Sequence, residues 1–163
     1  MRINDKKIEI TAVLHNIRSL HNVGSMFRTA DGVGVSKIYL TGYTPAPTDV
    51  FGKTRPEIAK TALGAEKTVA WEQKKDISRL IADLKKQGFL ILALEQAKNS
   101  ISYDKLKLKK GTKAALIVGN EVRGVASGIL KKCDKILEIP MRGQKESLNV
   151  STSFGIAVYQ LVK

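Results

Sequence analysis

The sequence predicts an α/β domain built on a largely parallel sheet with helices on both faces. Short β-rich apolar runs alternate with helix-like stretches along most of the chain, and each run is bounded by Gly, Pro or polar residues. That alternation is the pattern of strands joined by helical crossovers, which bury both faces of a parallel sheet. No internal repeat or interdomain linker interrupts it, and 163 residues suit one domain, expected to span 1–163.

Strands are expected at 8–14, 37–41, 68–71, 89–94, 114–118 and 135–139. The first helix is marked by Asn22 as N-cap, by a stripe of Val23, Met26, Phe27 and Ala30, and by Gly32 as a stop. Its second face carries Gly24, Arg28 and Asp31, so Arg28 points away from the core stripe. A plain Arg28–Asp31 surface pair is the competing account of that face. The segment 42–54 is the longest irregular stretch, of a length that is usually mobile or functional. The last helix starts near Asn149 and places Val150, Phe154, Ala157, Val158 and Leu161 on one stripe, for packing on a sheet or on a partner subunit.

Lys and Arg number 28 against 15 Asp and Glu, a net charge of +13. Such an excess favours a polyanionic partner through counterion release, and nucleic acid is the first expectation. The Lys pairs are scattered and form no basic amphipathic helix, so a membrane partner is not expected. No apolar run approaches the ~20 residues of a membrane span, and the N-terminus lacks the apolar core of a signal peptide. Cys133 is the only cysteine, which excludes an intrachain disulfide and points to a reducing cytoplasm. With His15 and His21 it gives no metal-ligand spacing, and both histidines read as ordinary loop or core residues.

One motif misleads. Residues 47–54 end like a phosphate-binding loop, but Pro47 stands where the loop needs Gly and removes an N–H from a site that works by wrapping N–H groups around phosphate. Gly32-Val33-Gly34 precedes a strand and lacks the third Gly of a dinucleotide fingerprint.

Three other segments occur together and in order. Asn22-Val23-Gly24-Ser25-Met26-Phe27-Arg28-Thr29-Ala30 lies at a strand-to-helix junction. The run from Ala115 to Val118 ends in the Gly-bounded turn Gly119-Asn120-Glu121-Val122-Arg123-Gly124. Ile139-Pro140-Met141 and a polar loop lead to Ser147-Leu148-Asn149-Val150-Ser151. With these segments the chain resembles the SpoU (TrmH-like) branch of the SPOUT methyltransferases, from about Val13 to the C-terminus.

The resemblance implies an S-adenosylmethionine-dependent RNA methyltransferase that modifies a ribose 2′-hydroxyl of tRNA or rRNA. It also implies a C-terminal deep trefoil knot and a homodimer with active sites near the interface. No added RNA-binding domain is expected, so substrate selection falls to the domain's own surface or to another protein. Cofactor contacts are implied for Leu94, Glu95, Gly119, Asn120, Glu121, Gly124, Ile139, Met141, Ser147 and Leu148. The functional polar set is implied to be Asn22, Arg28, Glu121, Ser147 and Asn149. A guanidinium is not deprotonated in proteins, so Arg28 is assigned to clamp a phosphate and stabilise alkoxide charge rather than to act as a base. Ser147 and Asn149 orient the ribose and accept or relay its proton, Glu121 fixes the second motif's turn or a partner Arg, and Asn22 is either part of this set or a helix cap. The alternative is a non-catalytic basic RNA-binding or assembly protein of the same fold.

Overall fold

A computed structural model describes residues 7–163. Its elements run β1 (Glu9–His15), α1 (Leu20–Val33), β2 (Lys37–Thr41), α2 (Pro56–Ala62), α3 (Ala65–Thr68), β3 (Trp71–Lys74), α4 (Ile77–Lys86), β4 (Phe89–Leu94), β5 (Ile101–Ser102), β6 (Lys113–Val118), α5 (Ser127–Leu130), β7 (Lys135–Glu138) and α6 (Val150–Leu161). The strands form one sheet in the order β3-β2-β1-β6-β4-β7-β5, and every pairing is parallel.

Both faces are covered, as the apolar runs predict. Ala12, Leu14, Ala114, Leu116, Val118 and Leu92 point into one core with α1, α2 and α6. Their neighbours Val13, Ala115, Ile117 and Ile91 point into a second core with Ile77, Leu80, Ile81 and Leu84 of α4. The period-2 alternation of strand side chains thus feeds two cores rather than a core and solvent.

Four expectations need correction. The strand expected at 68–71 begins at Trp71, because Ala65–Thr68 close a short helix that buries Ala65 and Val69. The N-cap of α1 is Ser19, whose hydroxyl accepts from Asn22 N–H, and its stop is Gly34 at φ 80° rather than Gly32. Gly24 is not on a free face: a Cβ there would collide with Thr61 Oγ1 and the Ile58 carbonyl of α2, so the two helices approach closely through it. The α6 stripe, by contrast, packs on the protein's own sheet core, the first of its two expected places, and the large apolar residues that α6 leaves exposed are Ile156 and Tyr159.

The last helix starts next to Asn149 as expected, and Asn149 caps it, its side-chain oxygen accepting from Ser151 N–H at 2.9 Å and Thr152 N–H at 3.4 Å. Among the described residues no helix is long and apolar enough to cross a membrane.

Candidate functional site

Three loops leave the carboxyl ends of the neighbouring strands β6, β4 and β7 and enclose a cleft of about 270 Å³. This is the end of a parallel sheet where α/β domains place their ligands. Every residue implied to contact the cofactor lines it: Leu94 and Glu95 after β4, Gly119, Asn120, Glu121 and Gly124 after β6, and Ile139, Met141, Ser147 and Leu148 after β7. Two glycines keep the backbone bare there. A Cβ on Gly119 would meet the Gly124 carbonyl, and one on Gly124, which sits at φ 65°, would meet the Glu95 carboxylate. Glu95 itself accepts from Val125 N–H at 2.8 Å and Gln96 N–H at 2.9 Å, and Gln96 Nε2 donates to the Glu146 carbonyl at 2.8 Å. The loops after β4, β6 and β7 are therefore tied to one another before any ligand enters.

At the edge of the cleft a polar relay joins the three sequence segments. Glu121 Oε1 accepts from Ser19 N–H at 2.9 Å and from Asn22 Nδ2 at 3.2 Å, and both carboxylate oxygens receive Arg18 N–H at 3.0 and 3.1 Å. Asn22 Oδ1 in turn accepts from Asn149 Nδ2 at 3.2 Å. Asn22 is thus the middle of the relay and not a helix cap. Glu121 holds the backbone that enters α1, while the second motif's turn is fixed by Asn120, whose Oδ1 accepts from Val122 and Arg123 N–H at 2.9 and 2.8 Å.

Burial alone would raise the Glu121 pKa, but the N–H donors of Ser19 and Arg18 and the Asn22 amide outweigh it and hold the carboxyl below its ordinary 4.5. A depressed folded value contributes stability that is complete above pH 4.5 and is lost as pH falls through the folded pKa. Glu121→Gln keeps one acceptor but turns an NH2 toward these donors. It is expected to cost about 1–3 kcal/mol at pH 7 and to flatten the acid limb of stability, read by thermal melts from pH 3 to 7.

Arg28 and Ser147 stand apart from the relay. Ser147 lines the cleft and is exposed. Arg28 is exposed on α1, six residues and about 9 Å along the axis beyond Asn22, and lines no part of the cleft. The Arg28–Asp31 pair does not form: Asp31 Oδ1 accepts from Thr68 Oγ1 at 3.1 Å, and neither ion pair found among the described residues involves Arg28.

Other chemistries find little support. The N–H groups of Asp49, Phe51, Gly52 and Lys53 are consumed within the 47–54 loop, donating to the Lys53 carbonyl and to Asp49 oxygens, so the loop cannot cradle a phosphate. Burial pushes the Cys133 thiol up to about 11, which disarms it as a nucleophile. His15, half-buried at the end of β1, bonds Thr41 Oγ1 at 2.9 Å, and burial lowers its pKa. Among the described residues no three His, Cys, Asp or Glu are grouped to hold a metal.

Sequence reading missed Asn16, Arg18, Ser19 and Tyr43. Asn16 Oδ1 accepts from Tyr43 N–H at 3.2 Å, and the Tyr43 hydroxyl accepts from Asn120 Nδ2 at 3.0 Å. Their only local signals are an Asn held at φ 55° and a Ser three residues before Asn22.

A fully parallel sheet with a glycine-walled cleft at its carboxyl edge defines an α/β protein that binds a small organic ligand there. Residues 9–159 match the SpoU rRNA Methylase family, and the chain belongs to that family. It is 31% identical over 158 residues to the tRNA (guanosine(18)-2′-O)-methyltransferase of Aquifex aeolicus, covering 97% of this chain and 71% of that protein. It is 32% identical over 146 residues to the 23S rRNA (guanosine-2′-O-)-methyltransferase RlmB of Neisseria meningitidis, covering 90% and 55%. The AdoMet-bound rRNA methyltransferase from Sinorhizobium meliloti superposes with a TM-score of 0.83 at 25% identity, over 97% of this chain and 57% of that one. The chain therefore spans between about half and three quarters of the length of these relatives.

Proposed function

We propose that this protein transfers a methyl group from S-adenosylmethionine to a ribose 2′-hydroxyl of tRNA or rRNA. The observation that carries the reading is the Glu121–Asn22–Asn149 relay, which locks all three sequence segments together at the lip of the cleft. The cleft fits the cofactor: the bare backbone at Gly119 and Gly124 allows main-chain contact, while Leu94, Ile139, Met141 and Leu148 offer apolar walls to an adenine. When bound, the cofactor supplies an electrophilic methyl group on a sulfonium.

The chain's own residues supply position and charge. Asn149, oriented by Asn22, and the Ser147 hydroxyl hold the ribose, the hydroxyl relaying the 2′-proton to water, and alignment of this kind is a large part of catalysis. Arg28 clamps the adjoining phosphate and stabilises charge on the attacking oxygen. Because Arg28 lies outside its own protomer's cleft, this role fits a homodimer in which α1 of one protomer faces the cleft of its partner. Ile156 and Tyr159, exposed on α6, are the apolar groups for that contact. The C-terminal trefoil knot implied by the family resemblance belongs to this reading, and the lone Cys133 supports work in a reducing cytoplasm.

Calorimetry of the purified protein with S-adenosylmethionine is expected to give the same affinity with and without chelator, since no contact calls for a metal. RNA from cells lacking the gene is expected to accept tritiated methyl groups on ribose. Binding of RNA without binding of cofactor, in a folded protein, would replace this reading with the non-catalytic RNA-binding one.

A further inference from the structure

A second depression shares a wall with the cofactor cleft. Asn120, Glu121, Val122 and Arg123 line both, and the far side of the second is closed by Arg18, Ser19 and Tyr43. We infer that this depression is a nucleotide subsite for the RNA strand, with Tyr43 as a stacking platform for an unpaired base and Arg18 and Arg123 as phosphate contacts. The inference rests on the methyltransferase reading and names the part of the surface that reads its substrate.

The chemistry of the lining selects the occupant. Tyr43 is 59% exposed, Val122 is 92% exposed, and the Arg18 and Arg123 side chains are exposed beside them. An exposed aromatic ring and two arginines lining one depression make a surface suited to a single-stranded base and its phosphates, in a chain that already carries +13. The one carboxylate on the wall, Glu121, has both oxygens engaged by Arg18, Ser19 and Asn22 donors. It is therefore turned to the backbone rather than presented to an incoming phosphate.

Tyr43 is also held in place. Gly42 at φ 61° turns the chain, Asn16 Oδ1 accepts from the Tyr43 N–H, and the phenol oxygen accepts a hydrogen bond from Asn120 Nδ2. A ring fixed at both its backbone and its hydroxyl loses little freedom when a base stacks on it. The same Asn120 caps the turn that walls the cofactor cleft, so the stacked base and the cofactor share one hydrogen-bonded support. Through the wall that the two share, a strand placed here runs up to the cleft that Ser147 lines.

The test is methylation of bulk RNA from cells lacking the gene, with kcat and KM for RNA measured for Tyr43→Ala, Tyr43→Phe, Arg18→Ala and Arg123→Ala. Cofactor affinity by calorimetry and thermal melting run alongside. Tyr43→Ala is expected to raise KM for RNA by about 5- to 150-fold, the range of one lost base stack. Tyr43→Phe keeps the ring and should recover more than half of that loss on a logarithmic scale. Each Arg→Ala should make the log–log salt slope of RNA binding shallower by about 0.7, the value for one single-strand phosphate. Wild-type activity in Tyr43→Ala overturns the subsite while leaving the methyltransferase reading intact. A loss in Tyr43→Ala matched by equal loss in Tyr43→Phe and in cofactor affinity also overturns it, because Tyr43 would then serve only to brace Asn120. An inactive, cofactor-free wild type defeats the methyltransferase reading itself.

Discussion

Arg28→Ala is expected to slow single-turnover methylation by about 10²–10³ while cofactor affinity and melting temperature stay at wild-type values. The separation follows from where the residue sits. Arg28 is exposed on α1, makes no ion pair with a described residue, and does not line the cofactor cleft. Its removal leaves no buried donor unsatisfied and opens no cavity, so folding has no reason to change. The rate has a reason: a fixed positive charge near a developing alkoxide is worth several kcal/mol when water is excluded, of order 3–4 on the scale of a lost oxyanion donor. Lysine restores charge but not the planar fork that grips a phosphate, so Arg28→Lys should recover only part of the loss. Full activity in Arg28→Ala would sink this role.

The same position makes a subunit-exchange experiment decisive. If Arg28 serves the partner's cleft, a heterodimer of one Arg28→Ala and one Asn149→Ala protomer contains one cleft with both residues intact, and mixing the two variants should recover activity above either alone. If each cleft uses its own Arg28, every cleft in the mixture lacks one residue. No recovery then appears.

Much of this architecture is legible in the sequence, and the parts that are not share a physical cause. The runs that became β1, β2, β4, β6 and β7 are apolar on both faces because two cores flank the sheet, and their shortness and flanking Gly, Pro or polar residues mark them as strands rather than buried helix. β3 is illegible because Trp-Glu-Gln-Lys is a polar edge strand, whereas Val69 just before it is apolar for another reason, burial at the end of a helical turn. β5 has two residues and leaves no pattern at all. At the start of α1, Ser19 and Asn22 are equally good caps by type. Only the Glu121 carboxylate, a hundred residues away in sequence, decides that Ser19 caps and Asn22 is free to bridge. The cleft walls were legible through motif resemblance. Tyr43 and Arg18 were not, because what recruits them is a bond from a backbone or side-chain group to a distant loop, which no local periodicity records.

Asn149 performs two jobs that one atom pair each can separate. Its Oδ1 caps α6 by accepting from Ser151 and Thr152 N–H, and its Nδ2 donates to Asn22 at the end of the relay. Asn149→Ala removes both, and is expected to cost about 1 kcal/mol of stability for the lost cap together with a large fall in the single-turnover rate. Asn149→Asp removes only the donor. An aspartate is as good a cap, and its charge is favoured at the helix N-terminus, so the melting temperature should stay at or slightly above wild type. Its carboxylate then faces Asn22 Oδ1, acceptor against acceptor, and the relay that holds the ribose-facing side chain is broken. The expected result is a stable protein that binds S-adenosylmethionine and RNA but methylates at a rate close to that of Asn149→Ala. If Asn149→Asp instead matches wild type in rate, the Nδ2–Asn22 bond contributes nothing to catalysis and Asn149 is a helix cap alone. If it matches wild type in neither rate nor melting temperature, the cap and the relay are not separable, and the tie from Asn149 through Asn22 to Glu121 is a structural brace for α6.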